Sequence, residues 1–198
     1  AEADARLFGH SAEDRAGYSV AGVGDTDGDG LDDILVGAYG DDVAFNSAGV
    51  SYLMTSVAGG DISMPTAAAA KVYGAAATTY SGFAVAPAGD MDGDGYADIL
   101  VGAYQEDSGG NDAGAAYLVH GPLSGDVSLS DAGALVTGEA AEDYAGYSLD
   151  GGGDFNGDGV PDILVGAYAQ DGGSPDAGAA YVMFGPVTGE VSLGSADF

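Results

Sequence analysis

Short apolar runs alternate along the chain with clusters of glycine, aspartate and serine, and no segment has the periodicity of an amphipathic helix. This pattern is typical of β-strands joined by tight turns in a meander. Early in the chain it predicts strands near residues 18–23, 34–39, 50–55 and 71–74. We therefore expect an all-β fold.

The same pattern occurs three times at an almost constant spacing. The run 36–39, Val-Gly-Ala-Tyr, returns at 101–104 and at 165–168. Four strands in each unit of about 65 residues fit the four-stranded blade of a β-propeller. The sequence predicts one repeat domain over residues 1–198 with three blades per chain. Its repeat units cover approximately residues 6–70, 71–134 and 135–198.

An acidic loop follows the strand predicted near residues 18–23 and recurs at the equivalent place in the other two units. Within each loop, oxygen-bearing side chains occupy positions 1, 3, 5 and 9, and glycines occupy positions 4 and 6. Calcium takes six to eight oxygen ligands, and a glycine at position 6 permits the turn that gathers them, with a backbone carbonyl at position 7. The predicted ligands are Asp25, Asp27, Asp29, Leu31 (carbonyl) and Asp33; Asp90, Asp92, Asp94, Tyr96 (carbonyl) and Asp98; and Asp154, Asn156, Asp158, Val160 (carbonyl) and Asp162.

Two other interpretations fit part of this pattern. An EF-hand needs a bidentate Glu at position 12, where this chain has Val36, Val101 and Val165, and the segment that follows is typical of a strand. Solvated turns also use Asp and Gly, but three copies with one oxygen pattern favour a metal. We predict about three Ca²⁺ ions per chain, with sodium and manganese as alternative ions.

The composition favours bound cations and excludes several kinds of partner. The 198 residues include 37 glycines, 32 acidic residues and 3 basic residues, which gives a formal net charge of −29. Such a chain repels nucleic acids and anionic lipids, and it repels itself unless cations or salt offset the charge. The chain has no cysteine, and its apolar runs are too short to span a bilayer. We predict no nucleic-acid partner and no membrane insertion.

The repeat resembles the FG-GAP repeat of the integrin α-subunit β-propeller and of its bacterial relatives. The resemblance rests on Phe-Gly at 8–9, Gly-Tyr-Ser-Val at 17–20, the acidic loop, and the run 34–39. The family usually ends that run in Gly-Ala-Pro, where this chain has tyrosine, and the third unit has Thr-Gly at 137–138. The resemblance implies calcium loops on the bottom of the blades and partner-binding loops on the opposite face, and in integrins those partners are proteins.

The three predicted blades are fewer than a closed propeller needs. Closed propellers have typically four to eight blades, so three are too few to close a ring. The register leaves the third blade without an outer strand, while the strand near residues 6–9 has no blade to complete. Our hypothesis is that another copy of the chain receives this strand, in a six-bladed twofold dimer or a head-to-tail polymer. The alternative is that the chain is a piece of a longer propeller.

Other residues give weaker indications of chemistry. His10 and His120 lie at non-equivalent positions, which favours surface or interface roles over a histidine metal site. Motifs of serine hydrolases, zinc proteases and P-loop enzymes do not occur. Acidic pairs at 13–14 and 142–143 are equivalent, and they form either a second cation site or a solvated face.

Recognition is expected where the three units differ from one another. The loops 40–47, 105–112 and 169–176 are the most variable segments, and variable loops on a rigid scaffold often carry binding residues. The tyrosines that precede these loops either stack on sugars or pack between blades. They are Tyr39, Tyr104 and Tyr168.

Together these expectations describe a non-enzymatic, calcium-binding module that acts in adhesion or surface structure. We expect it to be extracellular or at the cell surface, because calcium sites of this class fill where calcium is abundant. Its expected partners are further copies of itself, by strand exchange, or a protein or glycan ligand. The alternative function is a carbohydrate-binding or accessory module of a secreted hydrolase.

Overall fold

The computed structural model describes residues 3–195, and these residues are nearly all in β-strands and turns. Within them, the helical segments are one short α-helix, α1 at Met64–Ala67, and two 3₁₀ turns at Leu129–Asp131 and Leu193–Ser195. None of these segments is long and apolar enough to cross a lipid bilayer. The predicted third repeat reaches residue 198, so its last three residues lie outside the described part. The elements are β1 Ala5–Phe8, β2 Ser19–Gly24, β3 Asp33–Ala38, β4 Val50–Met54, β5 Gly60–Ser63, α1 Met64–Ala67, β6 Ala70–Tyr73, β7 Ala84–Gly89, β8 Asp98–Ala103, β9 Ala115–Val119, β10 Gly125–Ser128, β11 Ala134–Thr137, β12 Ala145–Gly153, β13 Asp162–Ala167, β14 Ala179–Met183 and β15 Gly189–Ser192.

The strands form propeller blades, as predicted. The first blade is the antiparallel meander β2-β3-β4 completed by β6, which comes from the start of the next repeat. The second blade repeats this arrangement with β7-β8-β9 and β11. The sheets do not close into a barrel or ring within the described residues.

Each complete blade carries a fifth strand that the hydrophobic pattern did not predict. β10 pairs in parallel with β6, and β15 pairs in parallel with β11, so each sheet has five strands. The corresponding strand of the first repeat, β5, pairs in parallel with β1 and forms a separate two-stranded sheet. The third blade is the three-stranded sheet β12-β13-β14.

Apolar side chains between successive blades form the core. Leu35 and Leu53 of the first blade pack with Val101 and Tyr117 of the second, and all four are buried. On the other face of the second blade, Leu100, Leu118 and Ala116 pack with Ile163 and Val165 of the third. The middle strands of the first two blades are therefore apolar on both faces because each lies between two sheets, whereas that of the third blade packs on the second blade through one face.

Glycines permit the blades to approach closely at one level of the stack. A Cβ atom on Gly37 would lie 2.0 Å from the carbonyl oxygen of Gly82, and one on Gly102 would lie 2.2 Å from that of Gly146. These distances are far below a van der Waals contact, so only glycine fits where backbone packs on backbone.

Candidate metal sites and the opposite aromatic face

The three acidic loops lie at the same end of the three blades. Each loop joins the first two strands of a blade, in the hairpins β2–β3, β7–β8 and β12–β13. Every hairpin has a register shift just before its loop, at Gly22/Gly24 in the first blade and at equivalent positions in the others. Neighbouring loops touch, because the Ala97 amide donates a hydrogen bond to the Asp25 carbonyl at 2.9 Å.

The aspartate at loop position 1 organises the turn through backbone amides. The Asp25 carboxylate accepts hydrogen bonds from the amides of Gly28 at 2.6 Å and Gly30 at 2.9 Å, and both glycines have positive φ. Asp154 accepts the equivalent bonds from Gly157 and Gly159. These backbone hydrogen bonds lower the pKa of Asp25 and of Asp154 below the usual value. The loop therefore holds an ionised carboxylate at its centre.

In the first two loops, the carboxylates at positions 1, 3 and 5 lie close together. Oxygens of Asp25, Asp27 and Asp29 lie within 4.8 Å of one another. The second loop gathers its own carboxylates equally closely, and in the third loop the Asn156 side-chain amide donates to Asp158 at 2.8 Å. Two unit charges about 4 Å apart repel by roughly 1 kcal/mol even in water. The second gathered set is Asp90, Asp92 and Asp94.

The aspartates at position 9 are buried and fasten the loop to the blade. Asp33 accepts a hydrogen bond from the Thr26 amide at 2.8 Å, and Asp98 accepts one from the Met91 amide at 2.8 Å. In Asp162, Oδ2 accepts from the Phe155 amide at 2.7 Å and Oδ1 from the Gly185 amide at 2.9 Å. These groups are therefore structural whether or not they also bind metal.

The position 7 residues contribute their amides to the loop. The amide of Leu31 donates to Asp29 at 2.8 Å, that of Tyr96 donates to Asp94 at 2.9 Å, and that of Val160 donates to Asp158 at 2.8 Å. Their predicted role as carbonyl ligands stays a prediction.

The donor set fits a hard divalent cation such as calcium. All the predicted ligand atoms are oxygens, and most belong to carboxylates, which are the donors that Ca²⁺ prefers. In the first loop, the buried Oδ1 of Asp33 has no hydrogen-bond partner among residues 3–195. A buried carboxylate oxygen without a partner is costly, and a cation would satisfy it.

His120 lies beside the second loop, which the sequence did not predict. Its Nδ1 atom lies 3.2 Å from Oδ2 of Asp98 and 3.4 Å from Oδ2 of Asp92. Burial raises the pKa of Asp98, while hydrogen bonds from Gly121, Met91 and His120 oppose this shift. The equivalent positions in the other repeats are Thr55 and Phe184, so the repeat pattern gave no signal for this contact.

Tyrosines cover the end of the blades opposite the acidic loops. The middle strand of a blade begins at the position 9 aspartate and ends just before Tyr39, Tyr104 or Tyr168. A six-residue strand is about 20 Å long, so the two faces are well separated. The rings of Tyr39, Phe83 and Tyr104 follow one another at centroid distances of 5.2 and 4.4 Å, across the contact between blades.

This ladder continues through Tyr147 to Tyr168, whose ring centroids lie 4.5 Å apart. Tyr39 and Tyr104 therefore pack between blades, which was one of the two roles expected for them, whereas Tyr168 contacts rings of its own repeat. Burial raises the pKa of Tyr104 to about 12. Sugar stacking on the exposed rings stays a prediction.

The equivalent acidic pairs at 13–14 and 142–143 do not gather into a cation site. Asp14 and Asp143 are buried and accept hydrogen bonds from the amides of Ser11 at 2.6 Å and Ala140 at 2.9 Å. Glu13 and Glu142 have positive φ and exposed side chains. The aspartates close local turns, while the glutamates face solvent.

The comparison with protein families agrees with this architecture. The FG-GAP repeat matches residues 16–54, 81–119 and 145–183, which together make up more than half of the chain. Each match runs from the start of the aromatic face through the acidic loop to the third strand of a blade. The chain belongs to the FG-GAP repeat family, as its sequence motifs predicted.

Individual relatives are integrin α subunits. The chain is 34% identical to integrin alpha-PS2 of Drosophila melanogaster over 173 residues, which cover 83% of this chain and 12% of that protein. It is 35% identical to integrin alpha pat-2 of Caenorhabditis elegans over 77% of the chain and 13% of the relative. With integrin alpha-V of Gallus gallus the identity is 34%, over 78% and 15% respectively. The chain thus spans a small part of the length of these relatives.

Proposed function

We propose that this chain is a calcium-stabilised, extracellular, non-enzymatic adhesion module of the integrin-α type. The observation that carries this proposal is the set of three in-register acidic loops on FG-GAP blades, each with oxygen donors at the same positions. About three Ca²⁺ ions per chain would bind, one in each loop. The residues that would hold them are those at positions 1, 3, 5, 7 and 9.

Bound calcium would supply positive charge where the blades concentrate negative charge. Three ions would bring the formal net charge from −29 to −23. Each ion would bind to oxygens that otherwise repel one another, so metal binding and folding are coupled. Calcium modules that act outside cells have dissociation constants of roughly 10⁻⁴ to 10⁻³ M, and an extracellular location would keep such sites filled.

The proposed adhesive role places partners on the face that carries the variable loops. These loops follow the tyrosines at the end opposite the metal sites, so the calcium loops stiffen the blade while the other face binds. The sequence holds no motif of a serine hydrolase, a zinc protease or a P-loop enzyme. A glycan array with a glycosidase screen tests the alternative of a hydrolase accessory module, for which selective sugar binding or turnover is expected.

Calcium titration of the metal-free chain by isothermal calorimetry tests the proposed sites. We expect a stoichiometry of three, and loss of one site in Asp29→Asn, because this substitution removes from the first loop the position 5 carboxylate that all three loops share. Asp42→Asn removes one negative charge from an exposed residue outside the three acidic loops, so this variant should keep all three sites. Absence of binding at millimolar calcium, or equal loss in both variants, would contradict the proposal.

A further inference from the structure

Two incomplete sheets lie at opposite ends of the stack of blades, one against the first blade and the other forming the third. The sheet β1–β5 has two strands, and the sheet β12-β13-β14 has three, whereas each of the two complete blades has five. In the complete blades, β6 lies between β10 and β4, and β11 lies between β15 and β9. β1 has the partner that corresponds to β10 but none that corresponds to β4. The two partial sheets therefore correspond to complementary strands of one five-stranded blade.

The free edge of the third blade is apolar and exposed. Val182 of β14 is 48% exposed, whereas the equivalent Leu53 and Leu118 are each 0% exposed. On the same face of the blade, Leu164 is half-buried, whereas Leu35 and Leu100 are fully buried. The equivalent residues of the first two blades are covered by the blade that follows, so this exposure marks the surface of the third blade that is suited to the same kind of contact.

On the face of the first blade that points away from the second, apolar side chains are also more exposed than their equivalents in the second blade. Val20 is 64% exposed, whereas the equivalent Val85 is 6% exposed. Tyr18 is 55% exposed, whereas the equivalent Phe83 is 8% exposed. In the second blade, these positions pack against the preceding blade, so the first blade presents a surface shaped for a blade such as the third.

We infer that a second copy of this chain occupies both surfaces, with its β1–β5 sheet added to β14 and its first blade packed on the third. This inference rests on the propeller module proposed above and names a partner for it. By the register of β4–β6 and β9–β11, β1 would run antiparallel to β14. The opposed pairs would be Ala5 with Val182, Arg6 with Tyr181, Leu7 with Ala180, and Phe8 with Ala179.

We call the proposed interface between the third blade of one copy and the β1–β5 sheet and first blade of the other the seam. Its side-chain contacts would resemble those between strands and blades within one chain. β6 places Lys71 opposite Tyr52, and β1 would place Arg6 opposite Tyr181 in the same way. Arg15 lies at the position of Tyr80 and Tyr144, and its guanidinium group lies 5.5 Å from the ring centroid of Tyr39. Two of the three basic residues of this acidic chain therefore lie on the docking elements, Arg6 on β1 and Arg15 just before the first strand of the first blade.

The aromatic ladder also continues across the seam. Within the chain, Tyr39 contacts Phe83 and Tyr104 contacts Tyr147, each pair linking one blade to the next. Tyr168 is 53% exposed and has no following blade in the described residues. Its counterpart across the seam would be Tyr18 of the second copy. Two reciprocal seams close six blades into a ring, within the range of known propellers.

Asp150 is a polar residue on the docking face of the third blade. It lies at the position of Ala21 and Ala86 and is exposed in the isolated chain. Association would partly enclose its carboxylate, which costs free energy unless a cation or donor offsets it. Asp150→Ala should therefore raise the association constant, whereas substitutions that add charge to the apolar part of the face should lower it.

Light scattering on the intact chain in millimolar calcium tests this inference. We expect the mass of two chains, or larger head-to-tail species, and loss of this association in both Val20→Lys and Val182→Lys. Both side chains are exposed in the single chain, so these variants should fold normally. Val43→Lys is the matched control, since Val43 is 63% exposed in a loop away from the seam. A single-chain mass for the parent protein with three calcium ions bound would overturn the inference and leave the proposed function intact.

Cysteine cross-linking tests the register, because the chain has no native cysteine. Leu7→Cys combined with Ala180→Cys places the two thiols on opposed residues, and mild oxidation should link separate chains. Leu7→Cys combined with Val182→Cys moves the thiols apart by two residues, and we expect several-fold less cross-linking. Equal yields for the two pairs, or cross-links formed only within a chain, would overturn the proposed pairing.

Discussion

At the scale of single residues, the acidic loop combines two kinds of carboxylate. Those at positions 3 and 5 are exposed and suited to a metal, whereas the position 9 aspartate is buried and fastens the loop to the blade. The spacing of oxygen-bearing residues predicted that the first group would gather. It could not predict the second role, because the amides that Asp98 accepts from belong to residues as distant as Gly121.

These two roles should separate in the metal-free protein. Asp98→Ala leaves the buried amides of Met91 and Gly121 without an acceptor, and each such loss costs about 1–3 kcal/mol. In EDTA we therefore expect the free energy of unfolding to fall by about 2–4 kcal/mol for Asp98→Ala. Asp94→Ala removes an exposed carboxylate and should change the free energy of unfolding little. Urea denaturation measures both, and equal midpoints for the two variants would contradict the structural role of Asp98.

At the scale of elements, the repeat made the blade meander predictable. The strands near 34–39 and 50–55 are apolar and correspond to β3 and β4, and the strand near 71–74 joins the preceding blade as expected. β5, β10 and β15 were not predicted. They are four residues long and half polar, and they begin with glycine, so local propensity does not favour a strand. Their parallel partners come from another part of the chain.

The close approach of neighbouring blades gives a prediction for one glycine. Gly102→Ala would place a methyl group 2.2 Å from the Gly146 carbonyl oxygen, so the second and third blades must move apart. We expect a loss of about 1–3 kcal/mol in the free energy of unfolding, as for other overpacked cores. Gly22→Ala is the control, because a Cβ atom there meets no atom within 4 Å. Chemical denaturation compares the two, and equal stability would show that the blades tolerate separation.

At the scale of the whole molecule, excess negative charge opposes folding while the apolar contacts between blades favour it. The charge is not spread evenly, since each blade concentrates several carboxylates in one loop at the same end of the stack. Two contributions therefore oppose folding in the metal-free chain. One is repulsion at short range inside each loop, and the other is repulsion at long range between loops and along the chain.

Salt and calcium act differently on these two contributions, which gives a prediction for thermal stability. EDTA should lower the melting temperature because it removes the ions that we propose the loops bind. Sodium chloride should then restore part of the loss, since raising ionic strength from 0.1 M to 1 M shortens the Debye length from about 10 Å to about 3 Å. Restoration should remain incomplete, because carboxylates within 4.8 Å of one another still repel and the buried oxygen of Asp33 still has no partner. Melting curves followed by circular dichroism measure this, with calcium re-addition as the control. Full recovery in salt alone would mean that diffuse charge, rather than bound metal, limits the stability of the blades.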